Sequence, residues 1–77
     1  MEIKEFLQNF IDQFDDIDSK KITFNTKYRE IDDWSSIIAL SVLAMIDDEY
    51  DVQLNATEMR ATETIEDLYK LVISKNN

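Results

Sequence analysis

The stretch EIDDWSSIIALSVLAMIDDEY, residues 30–50, sets an acidic loop, a tryptophan and two adjacent serines directly before a long apolar run. Ala39, Val42, Leu43, Ile46 and Tyr50 recur at the three- and four-residue steps that align side chains on one face of an α-helix. That helix should start near Ser35 or Ser36, where Ser35 can accept a hydrogen bond from an otherwise unpaired first-turn amide. Ile37, Ile38 and Leu40 widen the apolar face beyond a single stripe, which predicts a central helix contacted from several sides.

Working outward, Ile3, Phe6, Leu7, Phe10, Ile11 and Phe14 carry the same period and predict a first helix over residues 2–14. Asn55 with Glu58 has the spacing of a capping box and predicts a short helix around Ala56–Arg60. Thr64 with Asp67 repeats the device before a last helix striped by Ile65, Leu68, Tyr69, Val72 and Ile73, with Thr62 as an alternative cap. The terminal SKNN reads as a frayed tail. Between the first two helices, KKITFNTKY (residues 20–28) alternates like a strand, but nothing else in the chain offers it a partner strand. The expectation is a long loop held to the core by Ile17, Ile22, Phe24, Tyr28 and Ile31. The fold class that follows is all-α: one domain over residues 1–77, a small antiparallel bundle of three main helices and one short helix.

Composition narrows the chemistry. A chain of 77 residues buries roughly 60% of its unfolded surface, which is enough for one modest core. It contains no cysteine and no histidine, so disulfides, thiolate metal sites, a thiol nucleophile and the commonest catalytic base are all missing. The chain is not expected to be an enzyme or to hold a metal. A net charge of −9 disfavours nucleic acid and anionic membrane surfaces and suits basic protein partners. The acids Glu30, Asp32, Asp33, Asp47, Asp48, Glu49, Asp51 and Glu58 follow one another without an intervening Lys or Arg. Of these, Asp32, Asp33, Asp47, Asp48 and Glu49 are the candidate docking residues. Neither a signal segment nor a membrane-spanning run is visible, so a cytoplasmic monomer is the expectation.

The two serines carry the remaining chemistry. A serine in the first turn of a helix lies where unpaired amides and the positive end of the helix dipole favour an attached phosphate, by roughly 0.3–1 kcal/mol for an exposed group. In that setting EIDDWSSIIALSVLAMIDDEYDVQL resembles the attachment motif of acyl and peptidyl carrier proteins: a Trp or similar residue, then Asp-Ser-Leu, then an apolar helix ending in acids. Ser36 takes the place of the modified serine, Ile37 that of the Leu, and Ser35 that of the Asp, while Ser41 stands where fatty acid carriers often have Glu. TKYREI before the motif and TIEDLYKLV in the last helix extend the resemblance over nearly the whole chain.

The resemblance implies an acyl-carrier-protein-like bundle. It also implies a 4′-phosphopantetheine arm, taken from coenzyme A and joined to Ser36 by a phosphopantetheinyl transferase, that carries an acyl or aminoacyl group as a thioester. Ala39, Leu43, Ile46, Leu54 and Leu68 would bound a space for an acyl chain, and further partners would be enzymes that load or use the cargo. The motif leaves fatty acyl, aminoacyl and specialised acyl cargo all open. The alternative is an unmodified acidic helical interaction module with the same fold.

Overall fold

The computed structural model describes residues 2–15 and 17–76. Among them are four α-helices and no strand: α1 (Ile3–Ile11), α2 (Ser36–Tyr50), α3 (Ala56–Arg60) and α4 (Ile65–Asn76). Single 3-10 turns at Ser19–Lys21 and Tyr28–Glu30 punctuate the long connection between α1 and α2.

The first helix is shorter than its apolar period predicts. Asp12 and Asp15 follow its last turn, which contains no basic residue, so the negative end of the helix dipole meets like charge. The chain then tightens: the amides of Gln13 and Phe14 reach the carbonyls of Phe10 and Ile11, three residues back. Phe14 is buried all the same. At the far end of α2 the chain has no glycine to turn it, and Asp51 adopts the left-handed conformation instead (φ 55°) while its amide bonds the Asp47 carbonyl.

Phe6 and Phe10 from α1, Val42 and Ile46 from α2, and Leu68 and Val72 from α4 are fully buried together. Complete burial of such a side chain contributes roughly 1.5–3 kcal/mol. Phe6 lies 5.6 Å from Tyr50 and Phe10 6.1 Å from Trp34, ring centre to ring centre, so α1 runs antiparallel to α2. In contrast α2 and α4 finish at the same end, where the Asn76 side chain donates to the Tyr50 carbonyl. The antiparallel relation expected for the whole bundle therefore holds for α1 against α2 but not for α2 against α4. The SKNN tail is not frayed over its described part, since Ser74, Lys75 and Asn76 are helical and Lys75 pairs with Glu58; Asn77 lies outside the described residues.

The long loop finds its partner in α4. Ile65 and Glu66, whose amides have no acceptor within their own helix, donate to the carbonyls of Thr26 and Phe24 at 3.2 and 2.9 Å, and Lys27 forms an isolated bridge with Thr64. The alternating segment is thus a turn rather than a strand: the Thr26 amide bonds the Thr23 carbonyl at 3.1 Å, and the carbonyls on either side of Asn25 meet the start of α4. Ile22 and Tyr28 are buried, Ile17 and Ile31 pack at the edge of the core, and Phe24 is half-buried. The wide apolar face of α2 is only partly covered. Ile37 and Leu40 are 73% and 67% exposed, whereas Ile38 is half-buried against the core.

Candidate functional site around Ser36

The residues before α2 aim its first turn. Trp34 stacks on Phe10 with the rings 6° from parallel, and lies 5.0 Å from Tyr28 and 6.3 Å from Phe14. Its amide bonds the Ile31 carbonyl at 2.9 Å, which fixes the last bend of the loop. Ser35 follows in extended conformation as the N-cap, its Oγ accepting from the Ile38 amide at 3.2 Å. Ser36 is the first helical residue and is exposed to solvent. The two hydroxyls are therefore divided: that of Ser35 is engaged by the helix end, and that of Ser36 is presented outward. No acidic residue stands in the first turn of α2 to neutralise the positive end of its dipole.

An open groove of about 280 Å³ starts at Ser36. Ala39, Leu40 and Leu43 form its α2 wall, and Ala56, Met59 and Arg60 of α3 face them. Tyr28, Arg29 and Trp34 close the end nearest the loop, so none of the lining residues is acidic. The walls are held together by Tyr28, whose hydroxyl donates to the Met59 carbonyl at 2.8 Å and lies 2.6 Å from Thr62 Oγ1. Thr62 also donates to that carbonyl, at 2.7 Å, and so acts as a buried brace rather than as the cap of α4. Burial raises the Tyr28 pKa above its usual 10, against the opposing effects of Thr62 and Arg29, so the phenol is a donor at neutral pH. Arg29 Nη1 reaches the Tyr28 hydroxyl at 3.2 Å and the Met59 carbonyl at 3.4 Å, with its guanidinium over the Tyr28 ring.

The residues expected to shelter an acyl chain are dispersed. Ala39 and Leu43 line the groove, Ile46 and Leu68 are fully buried in the core, and Leu54 is half-buried against it. Sequence reasoning missed Tyr28, Arg29, Met59 and Arg60 as groove residues. They come from segments about 30 residues apart, brought together by the contacts of Tyr28 and Arg29 with the Met59 carbonyl.

The expected docking acids form two groups, all of them exposed. Asp32 and Asp33 lie before the start of α2 and face a separate, wide concavity beneath the loop, whereas Asp47, Asp48 and Glu49 occupy its last turn. A helix of 15 residues is about 22 Å long, so the groups stand near opposite ends of one rod. None of these five acids is in an ion pair among the described residues, and no three acids there are arranged to hold a metal ion. No described helix is long and apolar enough to cross a membrane. In comparisons with known proteins, the chain matches no family model, no curated protein and no solved structure.

Proposed function

We propose that this chain acts as a carrier protein, similar to acyl and peptidyl carriers, that bears a 4′-phosphopantetheine group on Ser36. The observation that carries this reading is the division of labour between the serines: Ser35 caps α2, leaving the Ser36 hydroxyl exposed at the first helical position. A phosphodiester on that oxygen would meet unpaired backbone amides and the positive end of a helix dipole. Bound there, the arm would supply the terminal thiol that a cysteine-free chain lacks.

The residues present fit such a group. Ser36 is accessible to a transferase, and the apolar groove beginning at it would let Ala39 and Leu43 shield part of a tethered chain from water. Each methylene buried there would contribute about 0.8 kcal/mol. The exposed acids at both ends of α2 would meet basic residues on the transferase and on the enzymes that load or use the cargo.

Intact mass after incubation with coenzyme A and a broad-specificity phosphopantetheinyl transferase tests the reading. A phosphopantetheine-sized increase in the wild type and in Ser35→Ala, absent from Ser36→Ala, is the expected result. An unchanged wild-type mass with several transferases would favour the alternative, an unmodified interaction module. That alternative draws support from the exposure of Ile37 and Leu40, which form an apolar strip between the two acidic groups.

A further inference from the structure

Only two arginines occur in the chain, Arg29 and Arg60, and both line the groove at Ser36. They are separated by 31 positions and reach it from different elements, one from the turn at Tyr28–Glu30 and the other from the end of α3. Their surroundings make this placement informative. With 17 acids against eight bases, a basic side chain has many possible partners, and each of the three ion pairs among the described residues uses a lysine. Neither arginine is in one.

Arg29 is oriented as well as exposed. Its Nη1 bonds the Tyr28 hydroxyl and the Met59 carbonyl and its plane lies over the Tyr28 ring, while Nε and Nη2 have no acceptor among the described residues. A guanidinium offers five N–H donors in a fixed fork suited to carboxylate and phosphate, so those left over remain available to an outside oxyanion. The Arg60 guanidinium has no hydrogen bond or ion pair among the described residues. No carboxylate lines the groove to neutralise either charge.

We propose that this groove binds a short apolar chain bearing an oxyanion, with the chain against Ala39, Leu43 and Met59 and the oxyanion on Arg29 and Arg60. A volume of about 280 Å³ lies just below the range of roughly 300–1,000 Å³ that houses drug-sized ligands, which suits a short chain. Two sources could supply the oxyanion: a carboxylate on the bound chain itself, or a phosphate attached at Ser36. As a statement about cargo, the proposal rests on the carrier reading, and with the first source it narrows the carried group to acyl chains with a second, ionised carboxylate. As a statement about the groove it does not depend on Ser36 being modified.

The test uses the unmodified protein, with fluorescence of Trp34, the single tryptophan, as the reporter from the groove wall. Octanoate and 1-octanol are titrated at low ionic strength. Octanoate should bind more tightly by roughly tenfold or more, the scale of a charge-assisted hydrogen bond, and the difference should shrink with added salt. Arg60→Gln and Arg29→Gln, each checked for retained helicity, should abolish the preference for octanoate over octanol. Equal affinity for the two ligands in the wild type, a preference for octanoate that survives both substitutions, or no saturable signal with either ligand would overturn the proposal. The source is read by repeating the titration after the transferase reaction. Octanoate binding retained on the modified protein assigns the arginines to a carboxylate of the bound chain, and binding lost on modification assigns them to the phosphate at Ser36. A protein that binds octanoate but never gains mass would uphold the groove and reject the carrier reading.

Discussion

Complete burial of the Tyr28 ring leaves its hydroxyl with protein partners alone, and those partners tie the loop to the end of α3. Tyr28→Phe removes that tie while keeping the ring contacts with Phe10 and Trp34, and it leaves Thr62 on the Met59 carbonyl. The expected loss of stability is about 1–2 kcal/mol, read as a lower urea midpoint at unchanged slope. The serines should separate in the same measurement. Ser35→Ala deletes the bond to the Ile38 amide and should cost about 1 kcal/mol, whereas Ser36→Ala removes an exposed hydroxyl and should change stability by less than about 0.5 kcal/mol. Equal losses from the two would contradict the division of labour described above.

At the level of elements, the short helix and the start of the last one depend on carboxylates that also accept backbone bonds. Glu58 closes the box with Asn55 and pairs with Lys75, and Asp67 accepts from the amides of Glu63 and Thr64. The hydrogen bond from Lys75 is the main reason that the Glu58 pKa lies below its usual 4.5, and the backbone bond from Thr64 is the main reason that Asp67 lies below 3.8. Groups depressed in the folded state contribute stability that is present above their unfolded pKa and is lost as pH falls through the folded one. Thermal midpoints followed from pH 6 downward should therefore fall more steeply below about pH 4.5 for the wild type than for Glu58→Gln or Asp67→Asn. Parallel curves would remove these carboxylates from the account.

These boxes were legible because their partners lie three residues apart, so that composition and spacing describe the whole interaction. The docking of the long loop was not. Its carbonyls at Thr26 and Phe24 accept from the amides of Ile65 and Glu66, some 40 positions away, and backbone partners leave no trace in side-chain pattern. The exposure of Ile37 and Leu40 escaped for a related reason: an apolar face that wide offers more surface than two neighbouring helices can cover, and the period alone does not say which side they take. The candidate site was half visible. The position of Ser36 follows from its own helix start, but the opposite wall of the groove is supplied by α3 and the turn at Tyr28–Glu30.

Across the whole molecule, a net charge of −9 on 77 residues makes self-repulsion a general cost to the folded state. Raising the ionic strength from about 0.01 to about 0.15 M shortens the screening length from about 30 to about 8 Å and should raise the thermal midpoint, while the same salt slows association with a basic partner. On the carrier reading, reversing Asp47 and Asp48 to Lys should slow transferase loading at low salt by roughly tenfold with helicity retained, and an unaltered rate would retire that end of α2 as a docking point. The most direct measurement fragments the transferase-treated wild-type protein and locates the added mass along the chain by tandem mass spectrometry. The account predicts that all of it lies on Ser36. Mass found on Ser35 or Ser41, or no adduct under conditions that modify a known carrier, would contradict it.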